Sequence, residues 1–176
     1  MATALFISRT DLVKNTILDG NVDTDKLLQF IKISQQIDVQ NYLGTDLYNK
    51  ISADIVAGTL SGNYLSLVED YVQPMLIHYA MMQYLPFAAY QIKNGGISKH
   101  TSENSESVSK EEVDYLVNKS RNFAEYYTRR FIDYISFNTH LFPEYQTNNN
   151  EDVYPDKNDL FNGWVLSLSL LLTLFL

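Results

Sequence analysis

Asn63-Tyr64-Leu65-Ser66-Leu67-Val68-Glu69-Asp70-Tyr71-Val72-Gln73-Pro74-Met75 opens the stretch that decides the fold. It begins an apolar run rich in Tyr and Met. The run passes Tyr84-Leu85-Pro86-Phe87 and reaches Gly95-Gly96, ahead of the polar His100-Thr101-Ser102-Glu103-Asn104-Ser105-Glu106. Apolar residues at helical spacing predict a helix from Asn63 to about Val72. Pro74 predicts a restart or a kink, because proline lacks an amide donor and its ring crowds the preceding turn. Pro86 predicts a bend in the continuation, which should fray at Asn94-Gly95-Gly96. No catalytic signature lies inside the stretch.

Upstream, Leu5-Phe6-Ile7 reads as a short strand or an extended arm. Ser8 or Thr10 then caps a short helix ending near Asn15. Leu18-Asp19-Gly20-Asn21 reads as a turn. Asp23 or Thr24 caps a helix that runs to about Asn41, with Leu27, Leu28, Ile31 and Phe30, Ile33, Ile37 at helical spacing. Gly44 supplies a stop, Thr45 or Asp46 starts the next helix, and Gly58 closes it. Downstream, residues 97–109 are polar and aperiodic and read as a loop with room for a short hairpin. Ser109 and Glu112 form a capping box that opens the longest helix, about Lys110 to Asn138. Its apolar stripe comprises Val113, Leu116, Val117, Ser120, Ala124, Tyr127, Phe131 and Tyr134. The opposite face carries Arg121, Glu125, Arg129 and Asp133 at i,i+4 spacing.

The pattern predicts an all-α, single-domain bundle of about five helices with a long polar loop and an extended C-terminal tail. Residues 1–142 form the helical domain, 143–163 a polar linker and 164–176 an apolar tail. At 176 residues and 45% hydrophobic content the chain can bury a full core. The net charge of −8 disfavours a free-standing nucleic-acid binder, which would show a basic face. Without cysteine there is no disulfide, thiolate nucleophile or Cys-based zinc site. Met1-Ala2-Thr3-Ala4-Leu5-Phe6-Ile7 lacks the basic start and long apolar core of a signal peptide. The thirteen Tyr residues suit either subunit interfaces or a Tyr-rich core.

Several motifs invite chemistry and fail on spacing. Asp19-Gly20-Asn21-Val22-Asp23-Thr24-Asp25 alternates carboxylates like a calcium loop. Its glycine is misplaced, however, and Phe30 stands where the bidentate Glu belongs, so a turn and helix cap explain it better. Ser107-Val108-Ser109-Lys110 fits a bare Ser-x-x-Lys pattern without the partner motifs of penicillin-recognising enzymes. His78, His100 and His140 form no ligand pair. His78, in an apolar run, reads as a hydrogen-bonded core or interface residue. Arg129-Arg130 reads as part of the charged face more readily than as a DNA contact. No phosphate loop and no nucleophile elbow occurs. The chain is therefore read as no enzyme, with no cofactor and no metal.

The opening stretch, together with Gln40-Asn41-Tyr42-Leu43-Gly44-Thr45-Asp46-Leu47-Tyr48 and Phe123-Ala124-Glu125-Tyr126-Tyr127-Thr128-Arg129-Arg130-Phe131-Ile132-Asp133-Tyr134, resembles the small helical head–tail connector (adaptor) proteins of tailed phages, particularly crAss-like and other Bacteroidetes phages. The resemblance covers most of residues 4–160 and rests on overall pattern. It implies a virion structural protein at the head–tail junction, assembled in the host cytoplasm. Identical subunits would close a ring, a dodecamer by family analogy, between the portal protein and a tail or second ring protein. DNA would pass through the channel without sequence-specific binding. The alternative is a non-viral helical interaction protein, or a small-molecule binder without catalysis.

Within that reading the polar loop is an assembly surface through Gly95, Gly96, His100, Thr101, Glu103, Asn104 and Glu106, joined by Trp164, Leu168 and Leu170 of the tail. Trp164–Leu176 spans only about 20 Å as a helix, short of the roughly 30 Å hydrocarbon core, and Lys157 is its nearest basic residue, so a membrane anchor is disfavoured. Its period-two leucines fit a strand about as well as a helix. An apolar segment of this kind is expected to dock on a groove of its own bundle, an adjacent subunit or the portal.

Overall fold

The computed structural model describes residues 4–18, 24–88, 90–93, 96–99, 109–148 and 152–158. The fold is all-α: α1 (Arg9–Asn15), α2 (Thr24–Ser34), α3 (Gln40–Leu43), α4 (Thr45–Ala57), α5 (Gly62–Leu67), α6 (Gln73–Tyr84), α7 (Lys110–Phe137) and α8 (Pro143–Thr147). Local chemistry sets most of the ends. Ser8 and Ser109 each make a full capping box, with Asp11 and Glu112 respectively. Gly58 ends α4 in the left-handed conformation.

Helix α6 organises the core. Met75, Leu76, Ile77, Tyr79, Ala80 and Met81 are all buried, and at 100° per residue these directions cover about two-thirds of the circumference, the rest being half-buried at Pro74, His78 and Met82. α7 packs along one side of it and α2 along another. Of the expected stripe of α7 only Ala124 and Phe131 are fully buried, the other six residues being half-buried, whereas Thr128, Ile132 and Ile135, outside that stripe, are buried because the face turned to α6 is rotated from it. Glu125, Arg129 and Asp133 follow the outer side, Arg129 and Asp133 being exposed.

Two π-helical turns, Gln35–Val39 and Val68–Val72, join α2 to α3 and α5 to α6. Gln40 N–H reaches back five residues to Gln35 O, and Gln73 N–H to Val68 O. The chain therefore passes Pro74 without the expected restart, because the widened turn just before it absorbs the missing donor. Beyond α6 the expected helix to Asn94 does not form. Leu85–Phe87 tightens into a 3-10 turn around Pro86, and strands β1 (Tyr90–Lys93) and β2 (Gly96–Lys99) pair antiparallel, with Tyr90 opposite Lys99. The segment read as a loop from Ile97 thus begins inside this hairpin.

The N-terminal segment is an extended arm, not a strand. Gln35, fully buried at the first π turn, accepts a hydrogen bond from Phe6 N–H (2.9 Å) and donates one to Ala4 O (2.8 Å). Gln73 donates to Phe6 O (2.9 Å). Phe6 and Ile7 are thereby pressed into the core.

The polar linker expected from Pro143 is instead packed structure. Pro143–Thr147 is helical, Tyr145 is buried, and residues 152–158 lie back across the start of α4. Thr45 N–H donates to Val153 O (2.9 Å) and Asp46 N–H to Asn148 Oδ1 (3.1 Å). These bonds satisfy the first amides of α4, which every helix leaves unpaired. Thr45 Oγ1 donates to Asp152 Oδ2, Asp156 N–H donates to Asn41 O, and Pro155 sits on Gly44. A Cβ at Gly44, where φ is +73°, would stand 2.6 Å from the proline ring, so only glycine fits. Among the described residues, Asn148, Asp152, Val153 and Asp156 thus bind the strap to the corner from Asn41 to Asp46.

Phe131, fully buried where α7 faces α6, should cost about 3–5 kcal/mol on truncation to Ala. Arg129→Ala on the outer face should cost under about 1 kcal/mol. Urea denaturation of the two variants checks the assignment of faces.

Candidate functional site

The long α6–α7 contact leaves a half-exposed seam lined with rings and cations. The His78 ring stacks on Tyr127 (5.5 Å between centroids, 7° between planes) and tilts against Phe123 at 5.1 Å. Burial lowers the pKa of His78, so the imidazole stacks as a neutral ring. One turn further along α7, the Arg130 guanidinium lies over both Tyr127 (5.9 Å) and Tyr71 (5.4 Å). Tyr71 in turn stacks on Tyr134 at 4.1 Å. Phe142 continues the row to Tyr64, which carries Lys50 over its face and donates its hydroxyl proton to Glu144. Arg130 and Tyr126 are exposed, whereas Tyr71, Tyr127 and Tyr134 are half-buried. Tyr and Arg presented on a rigid helix pair are the residue types that anchor protein interfaces.

At the His78 end the seam opens into an apolar groove of about 270 Å³ between the end of α1, α6 and α7. Ile17, Met81, Leu85, Leu116 and Phe123 form its walls, and Lys119 is the one charged residue among the described residues lining it. Ile17 is 80% and Phe123 52% exposed at the lip.

A second exposed apolar patch lies on the α2 side of α6. Ile33 and Ile37 stand one turn apart on the outside of the helix, 39% and 64% exposed. Phe87, beyond α6, packs on Phe30 at 5.6 Å and is itself 58% exposed.

Between these surfaces the interior holds a line of hydroxyls. Thr128 gives its proton to Ala124 O (2.8 Å), so Tyr79 donates to Thr128 Oγ1 (3.2 Å) and Tyr42 donates to Tyr79. Burial raises the pKa of both tyrosines. Nearby, burial lifts Asp38 to about 6 despite the proximity of Gln83 and Ser34, which draw it back down. Ser34 Oγ and Asp38 Oδ2 make no hydrogen bond of good geometry with described residues. No group of three metal-ligating side chains occurs among the described residues.

Of the residues expected to form the assembly surface, Gly96 opens β2. Gly95, His100, Thr101, Glu103, Asn104, Glu106, Trp164, Leu168 and Leu170 lie outside the described residues. The seam was only partly foreseen. His78, expected as a hydrogen-bonded core or interface residue, is half-buried against Tyr127 and Phe123. Arg130, however, engages tyrosines and not the charged face. Its position three residues after Tyr127 and four before Tyr134 was the available signal, since i,i+3 and i,i+4 residues share a helix face. Among the tyrosines, Tyr42, Tyr79 and Tyr145 belong to the core, whereas Tyr115, Tyr126 and Tyr154 are exposed.

The chain belongs to a family described as a family of unknown function (DUF6712), whose model matches residues 39–155, more than half of its length. That span runs from the first π turn through the strap, ending on the proline seated against Gly44. No curated protein and no solved structure matches the chain. No helix among the described residues is long and apolar enough to cross a membrane.

Asp38 gives a pH test of the interior. Its folded pKa, about 6, exceeds the ordinary 3.8, so between these values the folded chain keeps a proton that the unfolded chain releases. Its contribution to stability therefore falls as pH rises through that window and stays unfavourable above it. Asp38→Asn should raise the melting temperature at pH 7–8 and converge with the parent below about pH 4. Thermal melts of the two proteins across pH check this.

Proposed function

We propose that this protein is a structural virion subunit, a head–tail connector that closes a ring between the portal and the tail. The observation that carries the reading is a pair of unlike exposed surfaces with α6 between them. The aromatic and cationic seam lies on the α7 side, and the exposed apolar residues Ile33, Ile37 and Phe87 lie on the α2 side. A ring is built by heterologous contacts, in which one face of a subunit meets a different face of the next. Two distinct patches on one rigid body meet that requirement, whereas a symmetric dimer needs only one.

In this reading Ile33 and Ile37 of one subunit lie against Tyr126, Tyr127 and Arg130 of its neighbour. Burying such side chains contributes about 1.5–3 kcal/mol for each large apolar residue fully covered. The sequence resemblance over most of residues 4–160 supplies the class of assembly: portal on one face, tail or second ring protein on the other, DNA through the channel without base recognition. The net charge of −8 suits a channel wall that does not hold DNA. The groove's 270 Å³ falls just under the roughly 300–1,000 Å³ of ordinary small-molecule sites, which places the ligand-binding alternative second.

Native mass spectrometry of Ile37→Asp and Tyr126→Asp provides the test. The parent should form a closed ring and each variant should stay monomeric. An equimolar mixture should stop at a heterodimer, because each variant retains the face that the other has lost. A parent that stays monomeric at every concentration, or a mixture with no heterodimer, would contradict the reading.

A further inference from the structure

The groove between α1, α6 and α7 leaves large apolar side chains in water, with Ile17 and Phe123 at its lip and Leu116, Met81 and Leu85 behind them. Among the described residues nothing acidic lines it, and the cation there, Lys119, extends over the ring of Tyr115 at 5.7 Å. The chain itself carries an apolar segment in need of cover. Trp164–Leu176 contains no charged residue, and Leu166, Leu168, Leu170, Leu172, Leu174 and Leu176 alternate along it. Laid out extended, that alternation puts a continuous row of leucines on one side.

We propose that Trp164–Leu176 docks into this groove of its own subunit, with the leucine row against Ile17, Leu116 and Phe123. The anchoring of the strap favours the same chain over a second copy. Asp156 is bonded to Asn41 and Lys157 lies over the Tyr145 ring, so the tail departs from a fixed point on the bundle. Five residues, 159–163, then link Asn158 to Trp164. A short tether of this kind holds its segment at an effective concentration of about millimolar, far above that of any second copy in dilute solution. Ten residue-to-residue steps separate Asn158 from Leu168. Extended, they reach about 35 Å, close to the roughly 40 Å width expected of a domain this long. Shape favours the groove over the α2 patch: a concave site between three helices covers both flanks of a chain, whereas a convex helix face covers one. The inference stands apart from the connector reading, since it concerns the isolated subunit.

The absence of native cysteine makes the test clean. Ser120→Cys in the groove is paired in turn with Leu168→Cys, Leu170→Cys or Thr173→Cys in the full chain, with Val56→Cys on exposed α4 as the control partner. At least one groove–tail pair should oxidise to an intramolecular disulfide whose yield is unchanged across serial dilution, while the Val56 pairs should not. Trp164, the single tryptophan, supplies an independent readout. Its emission should be blue-shifted in the parent and move to the red in Leu116→Glu, with helicity retained. Disulfide-linked dimers that vanish on dilution, cross-linking to Val56 instead of Ser120, or solvent-like Trp164 emission in the parent would each overturn the proposal. So would a blue shift that appears only with phosphatidylglycerol vesicles.

Discussion

No residue of helix α6 is fully exposed, and the rest of the fold follows from that constraint. A helix buried over most of its circumference must be wrapped on most sides, and α1, α2 and α7, together with both π turns, supply the wrapping. The polar groups that α6 carries inward then have to be satisfied within the protein. Tyr79 donates a hydrogen bond to Thr128, and His78, its pKa lowered by burial, stacks on Tyr127. The seam proposed as an assembly surface is the outer edge of this same contact, so it is held by the core and not by a loop. That rigidity lowers the cost of presenting Tyr and Arg to a partner, because side chains fixed in advance lose little freedom on binding.

The two π turns serve the same end. Each inserts an extra residue where the helix would otherwise present the wrong side chain to its neighbours. At Gln35 the wider turn places a buried amide against the arm, where one side chain holds both a carbonyl and an amide of residues 4–6. At Val68–Val72 it carries the chain past Pro74 with the helix unbroken. Distortions of this sort often mark positions where local regularity has given way to a tertiary demand.

What the sequence made legible was local. Ser8, Ser109, Gly44 and Gly58 set helix ends through neighbours three to five residues away, and the 3.6-residue rhythm of α7 placed Ala124 and Phe131 on its buried face while missing Thr128, Ile132 and Ile135. What it hid was long-range. Gln35 reads as an ordinary polar helix residue until the arm, 29 residues earlier, lies against it. Thr45 looks like a simple start to α4, yet its hydroxyl and amide hold a strap 108 residues further on. Asn, Asp and Tyr in that strap resemble linker composition because their role is to cap a distant helix. The candidate surface was half legible for the same reason. The i,i+3 and i,i+4 relation of Arg130 to Tyr127 and Tyr134 is visible in sequence, but Tyr71 comes from another helix.

The central claim is that the α6–α7 seam and the α2 patch meet each other in the assembled protein. Hydroxyl-radical footprinting of free and assembled subunits tests it residue by residue. Tyr126 and Tyr71 on one face, and Ile33 and Ile37 on the other, should lose reactivity together on assembly. Tyr154 on the strap should keep its own. Unchanged labelling of Tyr126 and Ile37 in the assembled state would contradict the account, as would protection centred on Tyr154.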